Sequence, residues 1–136
     1  MRKYAISQTY DLLRSLDAQL KQLKQSPRAE DAGAIHDVRV AIRRLRQCLR
    51  VFSKFYECDS WKALRRELAG LMQACGAVRD RDIAIGLIAE AGMEPDSTLI
   101  KRLRKERRAA DLELRREVAH WKRHGVGKSF RAHLEV

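Results

Sequence analysis

The 136-residue chain is 45% hydrophobic and 35% charged, with a net charge of +11. That length fits one domain with one core, and the charge points to a polyanionic partner: nucleic acid, an anionic membrane surface or a soluble polyanion. No stretch approaches the roughly 20 apolar residues of a membrane span, and MRKYAISQTYDLL has no apolar run of the signal-peptide kind.

Residues 3–25 place Ile6, Tyr10, Leu13, Leu16, Leu20 and Leu23 at helical spacing on one face. Pro27 disfavours helix at Ser26 and ends this segment, and the polar stretch from Arg28 to Gly33 reads as a loop. Over 34–57 the apolar residues Ile35, Val38, Ile42, Leu45, Leu49, Phe52 and Tyr56 step by 3 and 4 in turn, a seam of the kind that packs in bundles. Asp59-Ser60 offers a cap for a helix over 61–75 with the core set Trp61, Leu64, Leu68, Leu71 and Met72, and Gly76 is placed to end it. A shorter helix is expected over 79–91, turning Ile83, Leu87 and Ile88 inward. Gly92 and Pro95 then break the chain, and Asp96 or Ser97 caps a last long helix to about His124. Its seam reads Ile100, Leu103, Ala110, Leu114, Val118 and Trp121, and 125–136 reads as an irregular tail. No segment alternates at period two long enough to be a strand. The expected architecture is an all-α antiparallel bundle of four to five helices over 1–124. Cys48, Cys58 and Cys75 form no CxxC pair and suit a reducing cytoplasm, where they act as small apolar fillers.

One residue behind the seam of segment 34–57, His36, Arg39, Arg43, Arg46 and Arg50 also step by 3 and 4. They form a second stripe roughly 110° around the helix and about 21 Å long. Like charges at that spacing repel, and between Asp37 and Tyr56 the segment holds no acidic residue to offset them. An external anion explains the row better than self-stabilisation does. Arginine suits phosphate in particular, because the planar guanidinium forks onto two oxygens at once. His36 opens the row near a helix N-terminus, where the dipole favours a bound anion. The last helix repeats the pattern loosely with Lys101, Arg104, Arg108, Arg115 and Lys122, interrupted by Asp111, which has Arg115 and Arg108 within pairing range. Two such rows in one bundle can face a shared groove.

The stretch HDVRVAIRRLRQCLRVF, His36 to Phe52, resembles the signature of the CHAD family, the conserved-histidine α-helical domains. LMQACGAVRDRDIAI, with Gly76, Arg79, Asp80 and Asp82, is similar to that family's second motif, a glycine followed by Arg-Asp-x-Asp. The resemblance implies non-catalytic binding of inorganic polyphosphate, without a cofactor, through basic residues on helices. By motif position it marks His36, Arg39, Arg43, Arg46, Arg50 and Arg79. Lys101, Arg104 and Arg108 of the last helix join them as candidates from its basic row. Asp80 and Asp82 are expected to orient arginines, since carboxylates repel bound phosphate. The cysteines already point to the cytoplasm, and a polyphosphate binder there either coats storage granules or senses phosphate. Family members are typically two similar helical bundles; this chain looks like one half, and either a homodimer supplies the other or the second half is absent from the sequence given.

Nucleic-acid binding is the alternative, and the charge fits it. The aromatics Tyr4, Tyr10, Phe52, Tyr56, Trp61 and Trp121 mostly fall on apolar faces, however, rather than interleaving with arginines as a base-stacking platform requires. No metal ligand set is expected: His120 and His124 lack HExxH and a third ligand. Gly127-Lys128-Ser129 lacks the upstream glycine and the strand of a phosphate-binding loop.

Overall fold

The computed structural model describes residues 1–27, 31–56 and 58–134. Among them are five α-helices, one 3₁₀ turn and no strand: α1 (Arg2–Gln25), α2 (Ala32–Val51), the turn Ser53–Phe55, α3 (Cys58–Glu90), α4 (Thr98–His124) and α5 (Val126–Leu134). The all-α bundle expected from the seams is therefore present. Residues 28–30 of the expected loop lie outside the described residues.

The seams bury as their spacing dictates. Leu13, Leu16, Leu20 and Leu23 of α1 meet Ile35, Val38, Ile42, Leu45 and Leu49 of α2 in one core, joined by Leu64, Leu68 and Leu71 of α3 and Leu114 and Trp121 of α4. At the first turns of α1 the buried positions are Ala5 and Thr9 rather than Ile6 and Tyr10. Thr9 is tolerated there because its hydroxyl donates to the Ala5 carbonyl (2.7 Å) and so accepts from Tyr56 Oη (2.7 Å). Ser97 caps α4, its Oγ accepting from the Ile100 amide at 3.3 Å. Gly125, at φ 60°, ends α4 in the left-handed conformation that favours glycine.

Three expectations are corrected. Gly76 does not end a helix: α3 runs unbroken for 33 residues, and 61–75 and 79–91 are parts of it. A glycine costs a helix interior about 1 kcal/mol, and the long packing of α3 along α4 outweighs that. Towards the far end of α3, Ile83 (46% exposed) and Leu87 (61%) face outward instead of inward. The stretch 125–136 is not an irregular tail, because residues 126–134 form α5. Phe130 of α5 is buried, its ring 5.4 Å from that of Tyr56.

No helix among the described residues is long and apolar enough to cross a membrane. Burial pushes the Cys75 thiol up to about 12, as for an inert filler, against the pull of the nearby Arg39 guanidinium.

Candidate functional site: an arginine-walled hollow between α2 and α3

The basic stripe of α2 borders α3, not α4. The two helices run antiparallel: Trp61 at the start of α3 donates its indole N–H to the Leu49 carbonyl near the end of α2 (3.1 Å), and Arg39 near the start of α2 lies beside Cys75. Between them is a hollow of about 390 Å³. Arg43, Arg46 and Arg50 form its α2 wall, and Arg65 enters from α3. Leu49, Trp61 and Met72 supply its apolar lining, and no carboxylate is among the described residues that line it.

The chemistry follows from that lining. Arg43, Arg46 and Arg50 are exposed, and none has an ion-pair partner among the described residues. Four guanidiniums around one concavity repel each other, and a bound polyanion relieves that repulsion while accepting forked hydrogen bonds. Arg65 is held in place by its own helix, its guanidinium carbon 5.4 Å from the Trp61 ring centroid one turn away. Arg65 was not foreseen from the sequence; Trp61 and Met72, expected in the core, do pack against it, and being half-buried they also line the hollow. The available signal was the Trp-x-x-x-Arg spacing, which stacks a cation on an aromatic along one helix face.

The remaining motif residues extend this face. Arg39 is half-buried and its Nε is buried without a hydrogen-bond partner. The register that sets Arg39 beside Cys75 brings Arg79, one turn further along α3, level with the exposed His36. Gly76 falls on the same face of α3 as Met72 and Arg79, and a Cβ there would meet nothing within 4 Å. Bare backbone therefore fronts open space beside the arginines, which lets a ligand approach closely.

The α4 candidates lie elsewhere. Lys101, Arg104 and Arg108 are exposed and none lines the hollow, because α4 packs chiefly against α3 on another face. The groove shared by two basic rows, expected from the sequence, is replaced by one walled by α2 and α3.

Arg115, counted in the α4 row, turns inward with Arg107. Arg107 donates from Nη2 to Asp31 Oδ1 (2.5 Å) and from Nε to Asp82 Oδ1 (2.8 Å). Arg115 donates to Asp31 Oδ2 (3.2 Å), Asp111 Oδ2 (3.2 Å) and the Leu23 carbonyl (3.1 Å). Asp31 is fully buried at the head of α2. Burial and the neighbouring Asp111 carboxyl push its pKa up, against the pull of Arg107. The hydrogen bonds that Arg107 donates to Asp82 and then to Asp31 hold its guanidinium pKa above the ordinary arginine value. Asp82 of the second motif thus orients an arginine, as expected, and pins α3 to α4. Asp80 is exposed and makes no ion pair among the described residues.

The expected pairing of Asp111 falls on Arg115. His120 and His124 stack with ring centroids 4.0 Å apart, and His120 Nε2 lies 3.3 Å from Glu67. No group of three or more potential ligands gathers among the described residues.

Comparison with known proteins gives one match. The family model described as CHAD domain matches residues 12–134, from the second half of α1 through α5. Neither the curated proteins nor the solved structures yield a match. With the family model spanning nearly the whole chain, the chain belongs to the CHAD domain family.

Proposed function

We propose that this protein binds inorganic polyphosphate, without catalysing a reaction on it, in the hollow between α2 and α3. The observation that carries the reading is the lining: four arginines converge on one concavity with no carboxylate among its described residues. A linear polyphosphate carries a charge at every unit and no large apolar part, so guanidiniums spaced along a helix can each take successive phosphates. Arg39, Arg79 and His36 continue the track beyond the hollow, and Lys101, Arg104 and Arg108 contribute only general positive potential. Such a protein acts where polyphosphate collects, on granules in the cytoplasm.

Nucleic acid is the competing ligand. Against it, Trp61 is the one aromatic among the residues described as lining the hollow, and it is already engaged, its N–H with Leu49 and its ring with Arg65, whereas a base-stacking platform interleaves several aromatics with the cations. The test is competition among polyphosphate, duplex DNA and single-stranded RNA at several salt concentrations. Polyphosphate should win at matched charge and lose affinity steeply with salt, as several phosphates are neutralised together. Equal affinity for DNA would overturn the reading.

The proposal includes a homodimer. Ile83 and Leu87 on α3, with Met93 and Leu99 leading into α4, are exposed at one end of the α3–α4 hairpin. An apolar strip of this kind suits a self-complementary contact with a second copy. The basic faces of two copies oppose association, and bound polyanion relieves that, so ligand should strengthen the dimer by linkage. Light scattering with and without polyphosphate decides it; a monomer in every condition that still binds tightly would show that one bundle suffices.

A further inference from the structure

A second groove lies on the opposite helix pair, between α1 and α4. Two hollows, of about 510 and 930 Å³, share Lys24, Val118 and Lys122 and so form one trough. Its floor is apolar: Leu20 and Leu23 from α1, and Val118 and Trp121 from α4. Lysines rim it on three sides, Lys21 and Lys24 on α1, Lys122 on α4 and Lys128 on α5, all exposed. The one carboxylate among its described lining residues, Asp17, is already engaged: it accepts from the Trp121 indole at 3.1 Å and lies 3.5 Å from Arg131.

We propose that this trough binds one molecule of an amphipathic anion, an alkyl chain ending in a phosphate or carboxylate. The charge complementarity is one-sided: four lysines and the exposed Arg123 stand around it, with no unengaged acid among its described lining residues. Lysine also suits the task differently from arginine, because its methylene stem lies along an apolar wall while the ammonium stays at the water-exposed edge. Each of the two hollows is of the size that takes a small ligand, typically about 300–1,000 Å³. The trough is concave and Leu20, Leu23 and Trp121 are buried in it. Nothing apolar therefore protrudes to enter a bilayer, and the ligand is a free amphiphile, not a membrane surface. Gly127 helps to shape this end, since a Cβ there would come within 3.0 Å of the Trp121 ring. This site is independent of the polyphosphate reading.

The test uses dodecyl phosphate below its micelle concentration. The chain has two tryptophans, so Trp61→Phe leaves Trp121 as the reporter in the trough. Saturable change in Trp121 emission is expected, with at least tenfold tighter binding of dodecyl phosphate than of inorganic phosphate or dodecanol. The double variant Lys24→Ala/Lys122→Ala should weaken it at least tenfold, and Arg43→Ala/Arg46→Ala should leave it unchanged. The inference is overturned by no saturable binding, by indifference to the lysine variant, or by loss in the arginine variant, which would move the ligand to the other hollow. Binding seen only to anionic vesicles overturns it as well.

Discussion

Arginines serve two opposite purposes in this molecule. Arg43, Arg46 and Arg50 of α2 stand exposed along a hollow with no carboxylate among its described lining, whereas Arg107 and Arg115 of α4 are drawn inward onto Asp31, Asp82 and Asp111. The residue type is the same and the helical spacing is similar; the location of the acids separates them. Asp31 lies 76 and 84 residues from its two arginines. Arginine with a buried acid holds helices together, and arginine without one is available to a ligand. A basic row becomes a candidate site only after its internal partners have been subtracted.

The sharpest way to break this comparison is to remove the acid. Asp31→Ala leaves two mostly buried guanidiniums short of a partner, and losing one member of a buried ion pair costs about 3–5 kcal/mol. Urea unfolding should show that loss, while the protein that remains folded should still bind polyphosphate. A collapse of binding at full stability would merge the two arginine classes. The same carboxyl sets a pH signature. Its native pKa lies above the ordinary 3.8, so on acidification the native state takes up this proton before the unfolded state does. This group's contribution to stability therefore rises as pH falls through the raised native value and levels off below 3.8. Asp31→Asn should remove that dependence from the unfolding curve.

The converse changes lie in the hollow. Arg43→Ala, Arg46→Ala and Arg65→Ala should each weaken polyphosphate binding tenfold or more, since a hydrogen bond to a charged group contributes roughly 1.5–3 kcal/mol. None should move the unfolding midpoint by more than about 0.5 kcal/mol, the usual range for exposed sites. Arg104→Ala and Arg108→Ala, which lie off the hollow, should weaken binding less than threefold. If all five variants behaved alike in a titration, the hollow would be no more than general positive charge.

The smallest expected effect is at Gly76. Its Cβ position opens on empty space, so Gly76→Ala should stabilise α3 by about 1 kcal/mol through helix propensity. Unchanged polyphosphate affinity alongside that gain would show that bare backbone is not needed there. Weakened affinity would add Gly76 to the contact surface.

Much of the bundle was legible from residue spacing alone. The 3–4 seams of α1, α2 and α4 are local periodicities, and the core faces they mark are the ones that bury, because burying one apolar stripe per helix leaves little alternative. The Ser97 cap was equally local. Where the reading failed, a distant partner decided. Trp61 and Met72 pack against the core as expected, but only the antiparallel register of α2 and α3 shows that they also line the hollow. Gly76 carries a helix-ending signal of about 1 kcal/mol, too weak against the packing of a 33-residue helix on α4. GVGKSFRAHLEV does space Val126, Phe130 and Leu134 four residues apart, a short local seam that went unread beside Gly125 and Gly127; in the fold Phe130 packs beside Tyr56 in the core.

By itself the sequence determined an all-helical chain, a basic stripe on α2 set off from its seam, and the two motifs that carry CHAD family membership. Those properties depend on residues within a few turns of each other, so they survive without knowledge of the fold. Only the tertiary structure decided that α3 walls the site, that Arg65 joins it, that Arg107 and Arg115 are bound to acids, and that a lysine-rimmed trough opens between α1 and α4. Each of these depends on pairing between helices far apart in the chain, and electrostatic partners are set by distance in space, which local periodicity does not encode.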